Sequence, residues 1–159
     1  MPNPKSPGSP DDLLALESQV CFALAVASRR VIGLYRPLLE PMGLTHPQYL
    51  VMLALWQFEP LNLRRLADLL SLEPATLSPL LKRLETIGFL TRTRDAEDER
   101  SLTVALTVTG RELRSRALAI PPAVMAELGM DLDELKSLHA TLTAVIDSTR
   151  QHSGQPAVA

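Results

Sequence analysis

The chain has 159 residues, 46% hydrophobic and 21% charged, with a net charge of −2 and one cysteine. That length and balance fit one compact domain, while a lone cysteine without zinc-ligand spacing among Cys and His excludes a disulfide scaffold and a structural zinc site. The apolar runs at Val20 to Ala27 and Tyr49 to Trp56 are far shorter than the roughly 18–20 residues that cross a bilayer. Residues 1–10, rich in proline, lack the features of a secretory leader, so they read as a disordered tail and the expected compartment is the reducing cytoplasm.

From Asp11 to about Glu40 an apolar stripe of Leu13, Leu16, Val20, Leu24, Val31 and Leu34 predicts a helix, closed by Pro37 and the Pro41-Met42-Gly43 cluster. Thr45 and Gln48 have the spacing of a capping box, with Pro47 in the first turn, and open a second helix over Tyr49 to Phe58. Leu61 to Leu70 and Pro74 to Ile87 are two short amphipathic segments separated by Ser71-Leu72-Glu73, the rhythm of a helix-turn-helix, and Gly88 stops the second. The hydrophobic period then changes to two. Phe89 to Arg94 and Ser101 to Thr107 alternate and are rich in β-branched residues, as the strands of a hairpin do, with the charged stretch Asp95 to Arg100 at its tip. Thr109 and Glu112 suggest another capping box, opening a helix that Pro121-Pro122 must kink or break, and Asp131 with Glu134 starts a last helix to about Arg150.

The expected fold is therefore mainly α with a small β-hairpin, a winged helix-turn-helix. Its expected segments are a helix over 11–45, the winged module over 46–108, C-terminal helices over 109–150 and a tail over 151–159. Charge follows this layout: residues 1–61 carry −1, residues 62–116 carry +2 and residues 117–159 carry −3. Only the middle segment is basic, which suits phosphate contact there, since local charge matters more than the total.

Five blocks in order, Leu16 to Leu24 (LESQVCFAL), Leu34 to Leu39 (LYRPLL), Gly43 to Leu50 (GLTHPQYL), Thr76 to Leu84 (TLSPLLKRL) and Gly88 to Ser101 (GFLTRTRDAEDERS), resemble the MarR family, and within it the repressors that sense organic hydroperoxides with one cysteine. The resemblance implies an intertwined homodimer with terminal helices at its interface and two winged modules reading the half-sites of an inverted repeat in double-stranded DNA.

A recognition helix needs short polar groups near its start to approach base edges and cations further on to meet phosphates. In Pro74 to Ile87 these are Thr76, Ser78, Lys82 and Arg83, opposite a core-facing set of Leu77, Leu80, Leu81 and Leu84. Pro79 should bend this helix, and the similar repressors carry a proline there too. In the wing, Arg92 and Arg94 share a face and are expected at phosphates. Asp98 and Arg100, two apart, can pair on one side of the tip. The resemblance implies that Arg100 enters the minor groove, whose negative potential attracts guanidinium, with Asp98 orienting it.

Cys21 lies among apolar neighbours, where a cysteine is more often an inert small hydrophobe. The resemblance implies instead a thiolate that peroxide oxidises, with Tyr35 donating a hydrogen bond to it. On one straight helix the 14 residues between them correspond to roughly 21 Å, so Tyr35 is expected from the other subunit. Ala25 and His46 stand where similar repressors have tyrosines; His46 is either a substitute donor or a surface residue beside the helix cap. Without a second cysteine, the implied route is a sulfenic acid and then a mixed disulfide with a low-molecular-weight thiol. Two other readings stay open: a MarR-type regulator binding a small aromatic ligand near Trp56, Phe22 and His46, and a one-cysteine thiol peroxidase. No catalytic carboxylate pair, nucleophile-base arrangement or phosphate loop favours an enzyme, and no cofactor is implied.

Overall fold

The computed structural model describes residues 14–94 and 102–153. The chain divides into two compact units, residues 1–120 and 121–159. The first holds the helix α1 (Val20–Leu39), α2 (His46–Phe58), the strand β1 (Leu61–Asn62), α3 (Leu63–Leu70), α4 (Pro74–Ile87), β2 (Leu90–Arg94), β3 (Leu102–Leu106) and α5 (Val108–Ala117). The helix α6 (Ile120–Leu128) begins at the boundary, and α7 (Leu132–Ser153) lies in the second unit. Thus α1 belongs to the same body as the winged elements. Among the described residues no helix is long and apolar enough to cross a membrane.

The first helix starts later than its stripe predicts. A short 3-10 turn over Leu16–Ser18 leads into an extended Gln19, and α1 begins at Val20; the predicted start at Asp11 and Leu13 lies outside the described residues. Helices gain most of their stability by burying a face, and Leu14 and Leu16, ahead of α1, are exposed. Nor does Pro37 close the helix. It sits inside α1, forfeiting one backbone bond near the end without ending it. A second 3-10 turn, Glu40–Met42, and Gly43 at φ 72° complete the exit. At the head of α2 the N–H of Thr45 donates to Gln48 Oε1 at 2.9 Å, as the cap spacing predicts.

The core sits where α2, α3, α4 and the sheet meet: Met52, Leu55, Leu66, Leu77, Leu81, Leu84, Leu90 and Val104 are fully buried. The sheet has three antiparallel strands in the order β1-β3-β2. Its third strand, β1, pairs Leu61 with Val104 and Asn62 with Thr103; two residues are too few to show a period, so the sequence pattern folds them into the start of a helix. The cap of α5 also differs from expectation. Thr107, not Thr109, is the N-cap: its Oγ1 accepts from the Gly110 N–H at 3.0 Å and donates to the Gly88 carbonyl at 2.6 Å. A threonine already held by the α4–β2 turn caps the helix two residues before the box that spacing suggested. The chain turns out of α5 before the proline pair, which lies in the first turn of α6. Asp131 caps α7 as expected, accepting from the N–H groups of Asp133 and Glu134, while Glu134 accepts from Asp131 N–H.

Candidate nucleic-acid interface and sensor groove

The turn between α3 and α4 is made by Ser71 at φ 52° in the left-handed region, with the Leu72 N–H donating to the Ala67 carbonyl. Pro74 pre-sets the first turn of α4. Leu77, Leu81 and Leu84 then anchor one side of α4 in the core, which leaves Thr76, Pro79, Lys82 and Arg83 exposed on the other. Ser78 is half-buried and donates to the Pro74 carbonyl at 2.9 Å. Pro79 is accommodated within the helix. The predicted polar set of α4 is therefore brought together on one accessible surface, with Ser78 turned partly back onto its own helix.

The two wing arginines have different fates. Arg94 is exposed. Arg92 is half-buried and bound by Glu85 of α4: Nε at 2.9 Å and Nη2 at 2.6 Å reach Oε2, and the Arg92 N–H donates to Oε1 at 3.0 Å. Its charge is offset, and it ties β2 to the recognition helix. A seven-residue separation across a turn carries no sequence pattern that would have revealed Glu85. Asp98 and Arg100 lie outside the described residues.

A second carboxylate braces the other end of the module. Glu59, just after α2, accepts from the Leu106 N–H at 2.9 Å and from Arg111 Nε at 2.7 Å, joining α2, β3 and α5. Burial alone would raise the Glu59 pKa, but the hydrogen bonds from Arg111 and Leu106 outweigh it and leave it lowered. Glu85 is lowered chiefly by its hydrogen bond from the Arg92 side chain, against a smaller opposing effect of burial. A carboxylate with a depressed folded pKa adds stability that is present above its unfolded value and lost as pH falls through the folded one. Urea midpoints measured from pH 6 down to pH 3 are accordingly expected to fall less steeply for Glu85→Gln than for the unaltered protein; parallel curves would contradict the brace.

Cys21, the second residue of α1, is exposed, and Tyr35 stands 14 residues further along the same helix, so one chain does not bring them together. Tyr35 does meet His46, ring centroids 4.9 Å apart and edge-on. Tyr35 to Tyr49 at 5.9 Å and Tyr49 to Trp56 at 6.4 Å continue a row of rings, which ends where Trp56 Nε1 donates to the Gly110 carbonyl at 2.8 Å. Burial lowers the His46 pKa, which disfavours the charged ring. Burial, then the charge of Tyr35, raises that of Tyr49.

His46 lines an open groove of about 480 Å³ between α1 and the head of α2, with Arg29, Arg36, Ile32 and Gly33 on its α1 wall. Phe22 and Trp56 are not among its lining residues. Trp56 serves as a link to α5, and Phe22 is exposed on α1.

An anchored helix-turn-helix, followed by an antiparallel wing tied to the second helix, defines a winged helix-turn-helix DNA-binding module. The MarR family profile matches residues 44–102, the stretch that contains it. An organic hydroperoxide resistance transcriptional regulator of Bacillus subtilis is 38% identical over 88% of this chain and 95% of its own length. The protein belongs to the MarR family and is a DNA-binding transcriptional regulator, not an enzyme. Among solved structures, reduced AbfR bound to DNA, a protein of Staphylococcus epidermidis, superposes with a TM-score of 0.73 at 31% identity, covering 89% of this chain and 99% of that one. CouR from Rhodococcus jostii bound to p-coumaroyl-CoA gives 0.70 at 29%, covering 82% and 94%.

Proposed function

We propose that the protein is a cytoplasmic homodimeric repressor that holds an inverted-repeat operator through α4 and the wing and releases it when an organic hydroperoxide oxidises Cys21. The observation that carries this reading is the placement of Cys21 at the exposed start of α1 and of the Tyr35–His46 pair at the groove beyond its far half. Only a second copy brings such groups to one thiol. The apolar side chains left exposed on α1 (Val20, Phe22, Leu24, Ile32) and on α7 (Leu138, Val145, Ile146) supply surface for that copy, and the similarity to a hydroperoxide-resistance regulator supports the input.

In the proposed reaction the Cys21 thiolate attacks the peroxide, an S–O bond forms as the O–O bond breaks, an alcohol leaves, and the sulfenic acid condenses with a low-molecular-weight thiol, losing water to give a mixed disulfide. Added bulk at a packed interface then changes the spacing of the two α4 helices, which must match successive major grooves. Thr76 and Ser78 are assigned to base edges in the major groove, Lys82, Arg83 and Arg94 to phosphates, and Asp98 with Arg100 to the minor groove. Arg92 is given the role of positioning the wing.

A second reading is favoured by the groove itself. Its Arg29, with Arg36 already paired to Glu40 at 3.3 Å, and the ring of His46 suit an anionic aromatic ligand, and CouR is a structural relative solved with p-coumaroyl-CoA. Gel shifts with the DNA upstream of the protein's own gene separate the two. Release by cumene hydroperoxide that vanishes in Cys21→Ser supports oxidation. Release by hydroxycinnamate or salicylate that persists in Cys21→Ser supports the ligand and overturns the redox switch.

A further inference from the structure

We propose that Arg64 and Arg65, at the start of α3, bind DNA phosphates and, with Arg94 across the sheet, grip the two walls of the minor groove on either side of the wing. The inference rests on the DNA-binding reading above and adds residues that neither the motif of α4 nor the wing includes. Its basis is the strand register. Asn62 of β1, Thr103 of β3 and Thr93 of β2 share one rung. The next rung toward the β2–β3 connection carries Arg94 opposite Leu102. On the β1 edge the chain at that level has just entered α3, so Arg64 and Arg65 flank the base of the wing on the side opposite Arg94.

Three further observations fit a phosphate contact. Both arginines are exposed, and among the described residues neither forms an ion pair, Asp68 one turn on included. The Arg65 N–H donates to Asn62 Oδ1 at 2.7 Å, which fixes the first turn of α3 and hence where the two side chains emerge. Arg92, by contrast, is committed to Glu85, so the wing base on its own offers Arg94 alone among the described β2 and β3 residues. The outer strands stand two strand spacings apart, roughly 10 Å. That separation straddles a minor groove about 6 Å wide between its walls, and the first helix of a helix-turn-helix crosses the DNA backbone in any case.

The test is fluorescence anisotropy of the full chain on a labelled mixed-sequence duplex, titrated over a range of salt concentrations. Each phosphate contact removed lowers the slope of log affinity against log salt by about 0.9. The Arg64→Gln, Arg65→Gln protein is expected to bind roughly tenfold or more weakly, with a slope smaller by about that amount per lost contact, an unchanged melting curve, and recovery of the slope in Arg64→Lys, Arg65→Lys. Arg30→Gln on α1, which packs on the Glu40–Met42 turn and on α2, removes one such charge and should leave the slope unchanged. A slope unaltered in the α3 variant, or reduced equally by Arg30→Gln, overturns the inference while the DNA-binding reading stands. Failure of the unaltered protein to bind any duplex overturns both.

Discussion

Gly110→Ala is expected to cost about 2–4 kcal/mol of stability, read as a lower urea midpoint with an unchanged slope at fixed protein concentration. Gly110 is the third residue of α5, and a Cβ there would run into the carbonyl of Phe89 and lie 3.3 Å from Leu106 Cδ2. Backbone cannot move aside as a flexible side chain can. Separating α5 from the entry to β2 also stretches the Thr107 bonds to Gly88 and Phe89 and the Trp56 bond to the Gly110 carbonyl, each worth about 0.5–1.5 kcal/mol. Against this stands a gain of at most about 1 kcal/mol in helix propensity. Because the displaced backbone leads into β2, DNA affinity is expected to fall with stability. A variant as stable as the parent would show that the close approach of α5 to Phe89 is not a constraint.

The second large effect falls on the recognition helix, and a pair of adjacent residues isolates it. Leu81 is fully buried, and Leu81→Ala is expected to destabilise by about 2–5 kcal/mol through lost burial and the cavity left behind, a large part of the roughly 5–15 kcal/mol that holds a domain together. Lys82, the next residue, is exposed. Lys82→Gln should leave stability within about 0.5 kcal/mol while weakening duplex binding and reducing its salt slope. Thermal melts and anisotropy titrations on the two proteins should give opposite patterns, stability lost in one and phosphate contact in the other. Equal loss of stability in both would mean that α4 does not present one face to the core and one to solvent.

The proposed switch joins these parts. The ring row from His46, which lines the groove, through Tyr35 and Tyr49 to Trp56 ends on the carbonyl of Gly110, so packed side chains run from the groove to the start of α5. The Glu59 brace then joins α5 to β3 and the end of α2. A change at the groove thus has packed side chains and hydrogen bonds through which to reach the wing, as coupling between separated sites requires.

The MarR-type winged architecture, the span of α4, the capping residues of α2 and α7, the hairpin strands and the polar face of α4 were all legible in the sequence, because each depends on contacts within a few residues: helical and strand periods, cap spacings, and glycine or proline at a turn. Those signals led as far as a winged helix-turn-helix; the family came from the resemblance of five residue blocks in order. Tertiary packing decided the rest. It started α1 at Val20, after the extended Gln19, recruited Leu61–Asn62 into the sheet because β3 offered an open edge, and moved the α5 cap to Thr107, which the Gly88 carbonyl already held. It also paired Arg92 of β2 with Glu85 of α4. Those outcomes pair residues distant along the chain, and no local pattern encodes which distant donor will meet which acceptor.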